Sequence, residues 1–463
     1  MRDAPWMSDQ SPGDRRPSSS RPSSGYARAQ HAGLDALSSL ASFDHERLRP
    51  ARSRSSLSQS APGRQSRLRT GGSPRMRAPE VTPGALNDAY EIPTVTFKHR
   101  RARGLVLTSL LIAGFAAWRI FHSWGHPISI PLLVCVAPVF AFKAASWLLS
   151  WKDEPTRVGR RSQRALDRLC VVVTVPVYNE DPALLDRCLY GLMNQSRPPQ
   201  RIDVIDDGSK LDYNELQHYW ERIWPGPTEI RWIRQANQGK RRAHAVTFAT
   251  APEADIFVTV DSDTTLDHYA LEEGLKPFIR RKVMSVAGIE LGFNAHTNFL
   301  TRMQSCLQLY SQAVIGAAWS AAGDMYTNRG PFALYRASMV REITPLYRDE
   351  KFFGHQVILG DDSLLALCAS ARGKSVQQLS AFGLTMWPET LNHHVRQRIR
   401  WARGRAVRNF WRLKYRPLSS YIWWFTAVGI YSFIASAGLL LLIPLTWPQS
   451  ARTVADMLLA MFT

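Results

Sequence analysis

Three apolar runs between residues 169 and 265 each end in a polar, mostly acidic cluster. LCVVVTVPV runs into YNED, RIDVI into DDGS, and DIFVTV into DSDT. A further strand-like run, EIRWIRQ, lies between the second and third, and VMSVAGIEL follows them. Helical periodicity fills the gaps, from about Pro182 to Asn194 and near 212–222, 240–250 and 268–280. Apolar strands alternating with amphipathic helices predict an α/β fold with a mostly parallel central sheet covered on both faces. Ligands in such sheets bind outside the carboxyl ends of the strands, which is where these polar clusters fall.

The DSD pair sharpens that expectation. Side chains two apart on an extended chain point the same way, so Asp261 and Asp263 aim two negative charges at one place. Like charges so placed raise each other's proton affinity unless a positive object lies between them. No GxGxxG follows the first strand, and no P-loop is present. A site that holds phosphates without either device, and offers carboxylates, points to Mg²⁺ or Mn²⁺, with substrate phosphates completing the coordination.

The apolar segments 104–121, 128–151 and 421–445 have the length of membrane helices, the first two forming a hairpin. Lys143 within the second either snorkels or faces a polar path. Basic flanks at KHRRAR (98–103) and after residue 151 place both ends of the hairpin, and the polar region 152–418, on the cytoplasmic side. A fourth apolar run, TVADMLLAMFT, is about half the roughly 20 residues of a span, so the C-terminal membrane region reads as incomplete.

The net charge of +20 suggests nucleic acid, but much of it lies in the first hundred residues, which are rich in Ser, Pro, Arg and Gly and sparse in aromatics. That composition predicts a disordered, solvated tail near anionic lipid, with no nucleic-acid partner. The opening residues show no secretory pattern. Five dispersed cysteines predict reduced core thiols rather than disulfides. The expected organisation is a basic tail (1–97), a transmembrane hairpin (98–151), a cytoplasmic catalytic domain (152–403), an interfacial amphipathic helix (404–418) and a C-terminal transmembrane region (419–463).

VVVTVPVYNE, DVIDDGS, NQGKRRAHA, VTVDSDT, GDDS and QRIRW occur in that order between about 169 and 415. The set resembles the membrane-embedded processive family 2 glycosyltransferases, a group that includes hyaluronan, chitin and cellulose synthases. GKRRAHA, DSDT and GDD look most like the hyaluronan synthases. The resemblance implies a glycosyltransferase A (GT-A) fold and a multi-pass plasma-membrane enzyme with a cytoplasmic catalytic domain. It also implies UDP-sugar donors, a growing polysaccharide acceptor, membrane lipid as a partner, and a possible homo-oligomer.

The resemblance gives Asp207 a nucleotide role, with Asp206 or a plain turn as the alternative reading of DDGS. Lys240 and Arg241 stand at a helix start, where positive charge and free N–H groups attract phosphate; the alternative is a solvated basic face. Asp263 is the expected metal ligand, with Asp261 on the ribose or behind the metal. Asp362 takes the place of the catalytic base, its proton affinity raised by Asp361, and it can also serve the start of the next helix. Gln397, Arg400 and Trp401 share a helix face and offer an amide, a guanidinium for the leaving diphosphate and a platform for a sugar ring. Beyond Gly404 the helix becomes basic with interleaved aromatics, as for a helix lying on a membrane. At TNRGPFALYR, Asn328 and Arg329 replace the small or thiol residue and serine usual before Gly-Pro in hyaluronan synthases, which separates this chain from them at the acceptor end. The resemblance thus implies an inverting polymerase using UDP-N-acetylglucosamine and UDP-glucuronate. Its rivals are a single-sugar, chitin-type synthase and an inactive membrane scaffold.

Overall fold

A computed structural model describes residues 129–223 and 226–446. The tail, the first apolar segment and the fourth apolar run lie outside the described residues. Ten strands are present among those described: β1 (Val171–Val177), β2 (Arg201–Asp206), β3 (Glu229–Arg234), β4 (Ile256–Val260), β5 (Thr265–Leu266), β6 (Val283–Gly292), β7 (Phe332–Arg336), β8 (Lys351–Phe352), β9 (His355–Gln356) and β10 (Lys374–Thr385). The principal helices are α1 (Ser129–Ser150), α2 (Pro182–Met193), α3 (Lys240–Thr250), α4 (Phe299–Tyr310), α5 (Ala337–Asp349), α6 (Asp361–Arg372), α7 (Leu391–Tyr415) and α8 (Tyr421–Thr446).

Eight strands form one sheet in the order β3-β2-β1-β4-β7-β6-β10-β5. β1 to β4 are mutually parallel, as are β6 and β10, while β7 runs antiparallel to both β4 and β6. β1 reads VVVTVPV because both faces are covered: Val171, Val173, Val175 and Val177 enter one apolar cluster, and Val172 enters the other. Every residue of β2 and β4 is buried as well. The strand and helix expectations for 169–293 hold to within a few residues at most boundaries; in the 212–222 stretch only Asn214–His218 is α-helical, followed by a π-turn.

The reversed strand β7 has the largest consequence for the site. Being antiparallel, it enters the sheet at the edge where β1, β2 and β4 end. The residues just before it, 327–331, are thereby delivered beside DSDT, and Asp261 N donates to Pro331 O at 3.3 Å. β10 ends at the same edge, with Thr385 beside Gly292 at the end of β6.

α1 and α8 coincide with the second and third predicted spans and pack on each other, with Phe142 stacked on Tyr421 at 5.6 Å and Tyr421 OH donating to Ser146 Oγ at 2.7 Å. Trp319, Tyr326 and Phe425 join this pair to the sheet domain. Among the described residues, no helix is long and apolar enough to cross a membrane. Cys188 and Cys368 are buried free thiols, whereas Cys306 is free and exposed.

Candidate active site

The carboxyl edge of the sheet collects acidic side chains from four segments. DDGS divides its two carboxylates between two tasks. Asp206 Oδ1 accepts from Ser209 N at 2.8 Å and closes the turn. Gly208 sits there at φ +76°, where a Cβ would lie 2.8 Å from Asn237 N, so the turn requires glycine. Asp207 accepts from Gln235 Nε2 at 2.7 Å, Gln238 N at 2.9 Å and Gly239 N at 2.8 Å. It thus fixes the loop that presents Lys240.

Lys240 and Arg241 go opposite ways. Lys240 Nζ lies 2.5 Å from Asp261 Oδ1 and 3.4 Å from Asp361 Oδ2, joining the DSD strand end to the start of α6. Burial would lower its pKa, but Asp261 and Asp361 outweigh that and hold it well above the ordinary lysine value. Arg241 is buried away from the strand ends, bonded to Glu350 Oε2 at 2.7 Å and to Leu359 O. Arg242 lies outside on Gln238 and Asp349.

Asp263 is left with weak partners. Its Oδ1 meets only Thr264 Oγ1 at 3.3 Å and Thr385 Oγ1 at 3.4 Å. Burial, then the charges of Asp261 and Glu180, raise its pKa to about 7. Glu180, from the YNED cluster, reaches the same place and accepts from Ser262 Oγ at 2.9 Å. A barely bonded, partly desolvated carboxylate with the charges of two more acting on it suits a divalent cation. Among the described residues no group of three or more His, Cys, Asp or Glu has metal-holding geometry, so substrate and water oxygens would supply the remaining ligands.

Across the edge, α6 begins with Gly360 at φ +70° as its N-cap. Burial would raise the Asp361 carboxyl, but Lys240, His244 and Arg241 hold it well below the usual carboxylate range. Asp362 goes the other way: burial and then Asp361 push it up to about 6. One oxygen accepts from Thr327 Oγ1 and the other from Ser363 N, each at 2.7 Å. A carboxylate titrating near neutrality is suited to accept a proton.

Gln397, Arg400 and Trp401 share a face of α7, as their spacing requires. The helix continues unbroken through Gly404, so the QRIRW segment and the basic stretch are one element. Gly404 packs on the loop preceding Asp361, with Gly360 Cα 3.5 Å from where its Cβ would be. Arg400 lies one turn earlier on the same stripe and is exposed, as is Trp401.

Several contributors escaped sequence reasoning. Thr327 comes from the loop that β7 delivers. Asn328 and Arg329 are buried, and Arg329 Nε and Nη2 have no hydrogen-bond partner. Glu290 on β6 is pushed up to about 7 by burial, against the opposing charge of Arg329. The departure at Asn328–Arg329 was the available sequence signal for this corner.

Residues 172–344 match the Glycosyl transferase family 2 profile. This segment is a family 2 glycosyltransferase domain. Its mostly parallel sheet, with β7 reversed, is of the GT-A kind. The chain is 34% identical over 234 residues to the hyaluronan synthase of Streptococcus pyogenes, covering 50% of this chain and 56% of the relative. It is 28% identical over 238 residues to the N-acetylglucosaminyltransferase of Rhizobium meliloti (strain 1021), covering 50% and 55%. The chain thus spans about half the length of the curated relatives it matches. Among solved structures, a mannosyltransferase, PcManGT from Pyrobaculum calidifontis in complex with GDP-Man and Mn²⁺, aligns at 17% identity and a TM-score of 0.47. That alignment covers 72% of this chain and 96% of the other, and the likeness is too slight to carry weight.

Proposed function

We propose that the protein is an inverting, divalent-metal-dependent glycosyltransferase that polymerises a β-linked polysaccharide from UDP-sugars, in the manner of a hyaluronan synthase. The observation that carries this is an under-bonded, cation-suited Asp263 and a near-neutral Asp362 at one sheet edge, their neighbours Asp261 and Asp361 joined by Lys240. Asp263 would hold Mg²⁺ or Mn²⁺, with Asp261 behind it or on the ribose, and the ion when bound would supply positive charge for the diphosphate leaving group. Asp362 takes the acceptor hydroxyl's proton as that oxygen attacks the anomeric carbon. Asp361, held ionised by Lys240, keeps the proton affinity of Asp362 high. Arg400 meets the departing diphosphate, Trp401 offers a ring face to the sugar, and Gln397 an amide. Asp207 shapes the nucleotide end through the 235–239 loop, and Lys240 contributes positive charge toward the phosphates. Arg241 fits better as a support behind the site than as a phosphate ligand.

The same reading places 98–151 and 419–463 in the plasma membrane as a multi-pass anchor, with the family 2 domain cytoplasmic, lipid against α7 beyond Gly404, and homo-oligomers permitted. Exposed Phe140, Leu148, Trp424, Phe433 and Ile434 on α1 and α8 support that placement. A single-sugar reading is favoured by the match to N-acetylglucosaminyltransferases and by Asn328–Arg329 at the acceptor end. The deciding experiment supplies membranes carrying the full chain with Mn²⁺ or Mg²⁺ and labelled UDP-N-acetylglucosamine and UDP-glucuronate, singly and paired. Polymer only from the pair supports the hyaluronan reading. Polymer from UDP-N-acetylglucosamine alone replaces it with the chitin-type one. No turnover of any UDP-sugar overturns both in favour of a scaffold.

A further inference from the structure

The loop before β7 does more than fill the sheet edge. Thr327 Oγ1 donates to Asp362 Oδ2 at 2.7 Å, while Ser363 N donates to Oδ1 at the same distance. Bonds to both oxygens fix the plane of the carboxylate. The loop that carries Thr327 is itself anchored at two points beyond it. Asn328 is fully buried and accepts from Ser375 Oγ at 3.1 Å, and Pro331 O accepts from Asp261 N. The threonine hydroxyl is therefore held by the framework rather than by Asp362. We propose that Thr327 is a positioning residue for sugar transfer, holding the Asp362 carboxylate in one orientation toward successive acceptor hydroxyls.

The inference rests on Asp362 being the base. In the step it serves, the acceptor O–H proton moves to the Asp362 carboxylate and the acceptor oxygen's electron pair forms the bond to the anomeric carbon. The anomeric C–O bond to the diphosphate breaks, and its pair leaves on UDP. A hydroxyl donating to the carboxylate favours its ionised form and so keeps the base ready for each cycle. As the proton arrives, that bond weakens, and Asn328 O, 3.3 Å from the same hydroxyl, is the alternative acceptor.

Other charged and titratable groups act on Asp362 from every packed element. Asp361 lies on its own helix, Lys240 on α3, Glu290 on β6 and Arg329 on the loop. Tyr335 on β7, Tyr347 on α5 and Arg412 on α7 complete the surroundings. Substituting Thr327 leaves all of them in place, so a change in the pH profile reports the hydroxyl.

The test measures UDP release by the full chain in membranes as a function of pH, for wild type, T327V, T327C and T327S. T327V is expected to move the acid limb upward by about one pH unit and to lower kcat while KM for the UDP-sugars changes less than about twofold. T327S keeps the limb in place, and T327C, with a weak S–H donor, falls between, so the series stays readable if valine does not fold. An unmoved limb in T327V and T327C, or a serine variant shifted as far as valine, overturns the inference. D362N run alongside separates the two claims: turnover that survives D362N sinks the base itself. An inactive D362N with an unmoved Thr327 series sinks only the positioning role.

Discussion

Two carboxylate clusters lie back to back in this domain, and they are opposites. At the sheet edge, Asp263 and Asp362 are pushed up to about 7 and about 6 because burial and neighbouring acids outweigh the cations near them. Behind it, Glu350 is almost wholly buried yet accepts from Arg241, from Arg408 at 2.6 and 2.9 Å and from Trp411 Nε1 at 2.9 Å. Burial would raise Glu350, but Arg408 and Arg241 reverse the sign and lower it. The two clusters share adjacent residues: Lys240 serves the edge and Arg241 the cage. A cluster whose carboxylate is fully paired ties α3, α7 and the 350–360 loop together. One with carboxylates in excess, a few residues away, is suited to something that supplies the missing positive charge.

The sharpest way to break this comparison is to neutralise one member of each cluster. D362N should cut UDP release by about 10³- to 10⁴-fold with UDP binding retained, since only the proton acceptor is lost. Retained turnover would show that the edge cluster is merely structural. E350A should instead unfold the domain more easily, by about 3–5 kcal/mol, because two buried guanidinium groups lose their common partner. Denaturant titration reads this directly. A shift under about 1 kcal/mol would mean that water replaces Glu350 and that the cage is not closed.

That contrast explains what the sequence could and could not convey. The strand ends YNED, DDGS and DSDT were legible because short, nearly continuous apolar runs fix where a buried strand stops and therefore which residues crowd its end. α3 falls on the stretch expected to be helical, near 240–250. Direction was not legible: nothing in FALYR says that β7 runs antiparallel, because a short buried strand has the same pattern either way. With β7 unassigned, Thr327 and Arg329 had no place beside Asp362. The opposite fates of Lys240 and Arg241 were equally hidden. Adjacent helix residues point about 100° apart, but which one meets the strand end depends on the docking of α3 against α5. Glu350 sits in a loop without periodicity, and its partners come from residues about 60 and 110 positions away in chain order.

A divalent cation should sharpen the comparison from the other side. Asp263, raised by burial, Asp261 and Glu180, binds a proton in the folded chain between its ordinary value of 3.8 and about 7. Its contribution to stability is therefore full below the unfolded pKa and lost as pH rises through about 7. Mn²⁺ with UDP replaces the proton, so the thermal stabilisation it gives should grow between about pH 5.5 and about pH 8. At about 100 times Kd the ligand should add about 2.7 kcal/mol in the wild type, and D263N should lose most of that increment and its pH dependence. An increment unchanged in D263N would move the metal to another residue and leave Asp263 unexplained.

The smallest effect concerns the seam between the clusters. Gly404 lies mid-helix in α7, between exposed Arg400 and buried Arg408, over the loop that starts α6. A Cβ there would meet Gly360 N at 3.4 Å, Gly360 Cα at 3.5 Å and Leu359 Cβ at 3.5 Å, ordinary contact distances. Glycine inside a helix is about 1 kcal/mol less favourable than alanine. G404A should therefore be neutral or raise stability by up to about 1 kcal/mol, whereas G404V should lose stability because its extra methyls reach the loop backbone. If the packing seats Arg400 over the edge, G404V should also lower kcat more than it alters UDP-sugar KM, as expected when transition-state contact to the leaving group is weakened. G404A losing more than about 1 kcal/mol in thermal unfolding would mean that α7 and the Asp361 loop approach more closely than these distances, and that the glycine is required for the seam itself.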